Sequence, residues 1–134
     1  MRKQLVFFYG TLMAGFDRRR QAGIDDRLRY LGRGAIKAAL FDVGLYPAAV
    51  PAPDRQVWGE VYEVTDPDAV LPALDAIEGY SPSQPDSSLY LRALTDVALP
   101  TGPAVQAWAY FYNAPLGQAQ RITSGDYLEY IASR

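Results

Sequence analysis

Neither histidine nor cysteine occurs anywhere in the 134 residues, and lysine is confined to Lys3 and Lys37. Without them no Ser-His-Asp triad, Cys-His pair, thiolate nucleophile or His-bearing zinc site can be built. No disulfide can form, so stability must come from packing, and a reducing compartment is allowed. Acid–base chemistry near pH 7 falls to a carboxylate with a raised pKa or to one of the two lysines. An excess of positive charge is also missing: the net charge is -2 and the pI is near 5.0. That excludes bulk electrostatic affinity for nucleic acid or anionic membranes. Long hydrophobic runs are absent too. No segment approaches membrane-spanning length, and the first apolar run, after Arg2 and Lys3, is broken by Gly10 too early for a signal peptide. The expectation is a cytoplasmic protein with no nucleic-acid or membrane partner. A hydrophobic fraction of 49% and a charged fraction of 21% are globular values, and the length fits one domain spanning residues 1–134.

What is present begins with Gln4-Leu5-Val6-Phe7-Phe8-Tyr9-Gly10-Thr11-Leu12. The aromatic and β-branched run reads as a buried strand. Gly10 ends it, and a glycine lets the backbone approach a ligand closely. Thr11 and Leu12 then expose successive N–H groups, an arrangement that holds a carboxylate or a developing oxyanion as readily as it makes an ordinary turn. Residues 13–29 read as a loop entering a short helix that ends near Gly32. The run Arg18-Arg19-Arg20, with Asp17, Asp25 and Asp26 around it, reads as a solvated helix face rather than a phosphate site. A strand is expected over 33–43, an apolar loop over 44–53, and a strand over 57–64 with one polar face. A helix over 66–79 has Thr65 or Asp66 as its cap, Pro67 in its first turn and Gly79 as its stop. The polar loop 81–88 leads to a strand over 89–99, which pairs as a hairpin with Val105–Tyr112. Ser124 can cap a last short helix through Ile131. Many strands with few, short helices give an α+β fold with a curved or barrel-like sheet.

One carboxylate in this pattern is out of place. Val70, Leu71, Leu74 and Ile77 form an apolar stripe on the central helix. Glu78 falls inside that stripe, four residues after Leu74 and seven after Leu71. It also occupies the last helical turn, where backbone carbonyls present partial negative charge. Apolar neighbours and the helix end both disfavour ionisation, so a raised pKa is expected, as a general acid–base carboxylate requires. The alternative is a frayed helix end whose side chain reaches water past Gly79. Asp75 falls off the centre of the stripe and reads as solvated.

Several short motifs, in order along the chain, resemble the γ-glutamylcyclotransferase-like (AIG2-like) family. They are Tyr9-Gly10-Thr11-Leu12, Gly44-Leu45-Tyr46-Pro47-Ala48, Gly59-Glu60-Val61-Tyr62, the helix end Leu74–Tyr80, Tyr90-Leu91-Arg92 and Ser124-Gly125-Asp126-Tyr127. The resemblance runs nearly end to end. It implies a small mixed β-barrel with a few short peripheral helices. It also implies conversion of a γ-glutamyl amine or γ-glutamyl amino acid to 5-oxoproline and the free amine, without cofactor or metal. Glu78 would be the acid–base residue, and Tyr9, Gly10, Thr11 and Leu12 would hold the glutamyl moiety. Such a cyclisation suits a chain without His or Cys, because the nucleophile is the substrate's own α-amine.

Two other functions fit the same motifs. One is a non-catalytic domain binding a small carboxylated ligand, which would have no use for an unpaired buried carboxylate at Glu78. The other is removal of a γ-glutamyl protecting group from a biosynthetic intermediate. The motifs carry no oligomeric state. Tyr46, Tyr62, Tyr80, Tyr90, Tyr110 and Tyr112 could grip a glutamyl chain through their hydroxyls, though most such tyrosines read as half-buried core with a wet tip. Tyr46, Tyr90 and Tyr110 are the substrate-binding candidates, the last two because the resemblance implies strands there that face the cavity. Arg92 reads as a structural salt bridge rather than a substrate-carboxylate partner, and Asp126 as a first-turn helix residue. The expected geometry is a pocket at the end of the first strand, floored by Gly10–Leu12, with Glu78 facing in.

Overall fold

A computed structural model describes residues 4–16, 18–21 and 23–133; Lys3 and Asp17 lie outside them. In chain order the elements are β1 (Gln4–Phe8), α1 (Arg18–Gln21), β2 (Leu28–Asp42), β3 (Pro47–Val64), α2 (Pro67–Glu78), β4 (Tyr90–Val97), β5 (Val105–Tyr112), β6 (Gln120–Arg121) and α3 (Tyr127–Ala132). The six strands form one sheet in the order β4-β5-β1-β3-β2-β6. Only β1 and β5 run parallel; the other neighbouring pairs are antiparallel. This mixed sheet curls into a half-barrel. Its two sides meet where Ala35 of β2 and Ala98, just past β4, exchange backbone hydrogen bonds of 3.0 and 2.8 Å. Gly34 permits that seam, since a Cβ there would lie 2.6 Å from Val97 Cγ1 and 3.1 Å from the Ala98 carbonyl oxygen.

The core fills the concave side. Phe7, Ile36, Leu40, Val57 and Val61 are almost wholly buried, and Val70 and Leu74 bring α2 against them. At the end of that helix Gly79 takes the left-handed conformation, φ 67°, and its N–H turns back to the Ala76 carbonyl. A Cβ disfavours this conformation, so glycine is the suitable stop.

Several boundaries differ from the sequence reading. The segment before β2 holds only the four-residue α1 and one 3-10 turn, Asp25–Arg27. Residues from Leu28 on pair with β3, beginning at Val64, and that long ladder takes the stretch assigned to a helix. The expected loop 44–53 is strand from Pro47 onward, with Pro47 and Pro51 opposite Asp42 and Ala38. Proline is tolerated because β1 pairs only with residues 60–64 of β3, which leaves the earlier part of β3 with one unpaired side. Strand β4 is shorter than expected. Asp66 stands at the cap position of α2 with φ 57° but makes no side-chain cap bond. Helix α3 is capped by Asp126, whose Oδ1 accepts from Glu129 N at 3.2 Å, while Ser124 Oγ accepts from Asp126 N.

Candidate active site

The end of β1, the end of α2 and the start of β3 border a pocket of about 340 Å³, the open space at its mouth included. Gly10, Thr11 and Leu12 line it together with Tyr9 and Glu78. Tyr46, Tyr90 and Tyr110 complete the surround, so every residue expected at the site lines this one pocket. Gly10 is packed so tightly that a Cβ would sit 2.8 Å from Pro47 Cγ. The chain reverses through a turn in which Met13 N–H donates to the Gly10 carbonyl at 3.0 Å. Thr11 and Leu12 N–H make no hydrogen bond among the described residues. Two adjacent free donors remain to meet negative charge.

Glu78 is the last residue of α2. Among the described residues its carboxylate has no hydrogen-bond or ion-pair partner, and the surface it keeps opens onto the cavities around it. Burial pushes its pKa from the ordinary 4.5 up to about 7, and the charge of Arg18 pulls the other way without cancelling it. A carboxyl group that titrates near neutrality can both take up and return a proton under ordinary conditions.

The hydroxyls of Tyr9, Tyr90 and Tyr110 are tied into the framework around the pocket. Tyr9 Oη donates to the Tyr110 carbonyl at 2.5 Å and accepts from Ala49 N. Tyr90 Oη donates to the Pro47 carbonyl at 2.8 Å. These bonds satisfy the unpaired side of β3, since Ala49 N–H and the Pro47 carbonyl meet no strand there. Tyr110 Oη donates to Asp75 Oδ1 at 2.6 Å. All three hydroxyl protons are therefore engaged, and toward the pocket the oxygens can only accept. Burial raises the pKa of all three phenols, with Glu78 adding to the rise, so they stay protonated.

Two residues were misjudged from sequence. Asp75 is buried, not solvated: Arg92 Nε lies 2.9 Å from its Oδ1 and Arg92 Nη2 3.3 Å from its Oδ2. That pair sits behind Tyr110, and the Arg92 guanidinium lies 4.6 Å from the centre of the Trp108 ring. The structural reading of Arg92 matches this geometry. Arg18, grouped with Arg19 and Arg20 as a solvated face, turns inward to the pocket. Its Nη1 donates to Thr11 Oγ1 at 2.6 Å and its Nη2 to the Ile77 carbonyl at 3.4 Å, with Tyr46 beside it. Arg19 is also covered, over the Tyr62 ring and against Asp25; Arg20 is exposed. Nothing in three consecutive arginines marks the first as inward-facing, because the contacts that turn it come from the turn after β1 and from α2.

The site is thus a pocket at one end of a half-barrel, lined by the Gly10–Leu12 turn and by a carboxyl that titrates near neutrality. Residues 6–129 match the family model "Gamma-glutamyl cyclotransferase, AIG2-like". The chain belongs to that family. It is 31% identical over 128 residues to a Methanocaldococcus jannaschii protein provisionally named a gamma-glutamylcyclotransferase, covering 95% of this chain and 98% of the other. The solution structure of YtfP from Escherichia coli superposes with a TM-score of 0.65 at 30% identity, over 96% of this chain and 99% of that one. The crystal structure of an AIG2-like protein from Mus musculus gives 0.66 at 24% identity, over 86% of this chain and 81% of that one, a likeness of fold. No helix among the described residues is long and apolar enough to cross a membrane.

Proposed function

We propose that this chain is a cofactor-independent, cytoplasmic γ-glutamylcyclotransferase that converts a γ-glutamyl amine or γ-glutamyl amino acid to 5-oxoproline and the free amine. The observation that carries this reading is the Glu78 carboxyl, titrating near pH 7 and without a hydrogen-bond or ion-pair partner among the described residues, in the same pocket as Thr11 and Leu12, whose N–H groups make no hydrogen bond among those residues. Donors and acceptors are segregated in a way that suits a γ-glutamyl group. The Thr11 and Leu12 N–H groups and Arg18 meet its negative oxygens; the tyrosine hydroxyl oxygens and Glu78 meet its α-ammonium.

In the reaction, ionised Glu78 takes a proton from the α-ammonium. The freed nitrogen attacks the γ-carbonyl carbon, and a C–N bond forms as the carbonyl oxygen becomes an oxyanion held by backbone donors. Protonated Glu78 then returns its proton to the departing nitrogen. The original amide C–N bond breaks as the ring nitrogen gives its second proton to Glu78, leaving the five-membered lactam. The released amine then takes that proton and departs as an ammonium, which returns Glu78 to its ionised form. One C–N bond forms, one breaks, and no water is consumed. The pocket's contribution is mainly the bent conformation that brings the amine onto the carbonyl.

Product identity tests this. Incubation with γ-glutamyl conjugates is expected to yield 5-oxoproline and amine in equal amounts. Glutamate as the product would make the protein a hydrolase, and an unchanged conjugate would make it a binding domain.

A further inference from the structure

Beyond Glu78 lies a second cavity, about 330 Å³ counted to its mouth, that shares Arg18, Tyr46, Glu78 and Tyr90 with the first. Its own walls are Ala76, Ile77, Gly79 and Leu89, none of which carries a charged or hydrogen-bonding side chain. The backbone acceptors there are already engaged. The Ile77 carbonyl receives Arg18, the Gly79 carbonyl receives Leu89 N–H at 2.9 Å, and the Ala76 carbonyl receives Gly79 N–H. Leu89 is held in place from both sides, because its own carbonyl accepts from Asn113 N at 2.8 Å. The loop before it is tied down by Ser88, whose Oγ bridges Ser81 and Gln84, and by Asn113.

We infer that this second cavity seats the departing amine, and that it selects neutral, apolar amine substituents and rejects cationic ones. The inference rests on the cyclotransferase reading and adds the leaving-group class to it. The first cavity is bordered by the Gly10–Leu12 turn, which the second is not, and that suits the glutamyl part. An amine leaving across Glu78 enters the cavity on its other side. There an alkyl chain meets Ala76, Ile77 and Leu89 and gains by leaving water. A distal ammonium finds no hydrogen-bonding side chain among Ala76, Ile77, Gly79 and Leu89 and meets the Arg18 guanidinium nearby, so it stays in water and its chain forgoes that gain.

The test compares γ-glutamylmethylamide, γ-glutamyl-n-butylamide and γ-glutamyl-(4-aminobutyl)amide, whose reacting amides are nearly alike. Each buried methylene is worth roughly fourfold, so partial burial of the longer chain is expected to raise kcat/KM about tenfold for butyl over methyl. The aminobutyl conjugate is expected at or below methyl. Leu89→Asp is expected to lower the butyl rate about tenfold and to place aminobutyl above butyl. Ala76→Phe, at an exposed helix position, fills the cavity and brings the butyl-to-methyl ratio toward one even if the aspartate variant does not fold. Equal rates for the three conjugates, or ratios unmoved in a folded variant, overturn the inference and leave the cyclotransferase reading standing. Absence of 5-oxoproline from all three overturns both.

Discussion

Replacing Glu78 with glutamine keeps the shape of the side chain and removes only its ability to ionise. The folded protein holds the Glu78 proton up to about pH 7 against an ordinary 4.5, so the native state binds that proton more tightly than the unfolded chain. Wild-type stability therefore falls as pH rises from about 4.5 to about 7, and the loss is complete above that range. At 1.36 kcal/mol per pKa unit the shift corresponds to roughly 3 kcal/mol. Partial opening of the pocket to water reduces this to about 2 kcal/mol. For a chain of this length about 4 °C accompanies each kcal/mol, so Glu78→Gln is expected to melt about 8 °C above wild type at pH 8. At pH 4 both proteins carry a neutral group there, and their melting temperatures are expected to coincide. Thermal unfolding of the two proteins in parallel from pH 4 to pH 8 reads this directly, since the other titrating groups are common to both. A difference that does not grow with pH, or a variant less stable than wild type at pH 8, would refute the argument that Glu78 is a desolvated carboxyl.

The rate should follow the same ionisation. With the substrate's own amine ionisation allowed for, kcat/KM is expected to rise up to about pH 7 as the base form of Glu78 fills; a profile set by the substrate alone would make Glu78 a positioning residue. The Asp75–Arg92 pair, with side chains 7% and 17% exposed, is expected to lose about 3 kcal/mol in urea unfolding when either partner becomes alanine. The double variant should lose less than the sum, and strict additivity would mean that the two do not act together. Gly10→Ala forces the turn away from Pro47 and is expected to lower kcat/KM at least about tenfold while the circular dichroism of the fold is kept. Unchanged kinetics would show that the turn does not touch the substrate.

The parts of the molecule legible from sequence are those set by neighbours along the chain. β5 runs over the residues its pattern marks out, and α2 ends at Gly79 because the glycine, the proline and the apolar period all lie within that segment. Glu78 was visible for the same reason: a carboxylate inside an apolar stripe is a local contradiction. Asp75 was not, because what buries it comes from β4 and β5, and a helical period cannot show that Arg92 and Tyr110 converge on it. Pro47–Pro53 read as a loop because proline removes a ladder donor. Only the register of β1 reveals that this stretch has an unpaired side where the loss costs nothing. Arg18 was hidden in the same way, since the Ile77 carbonyl that receives it comes from the distant end of α2, and nothing local shows that Thr11 Oγ1 turns toward it.

The central claim is that Glu78 moves the proton in a cyclisation. It is tested most directly by kcat/KM for 5-oxoproline formation at pH 7.5, wild type against folded Glu78→Gln, on a γ-glutamyl conjugate that wild type consumes. The account predicts a fall of about 10²–10⁴, the range over which positioned acid–base groups act, with the melting temperature equal or higher. A folded Glu78→Gln protein that forms 5-oxoproline within about threefold of wild type, less than 1 kcal/mol of barrier, would contradict it.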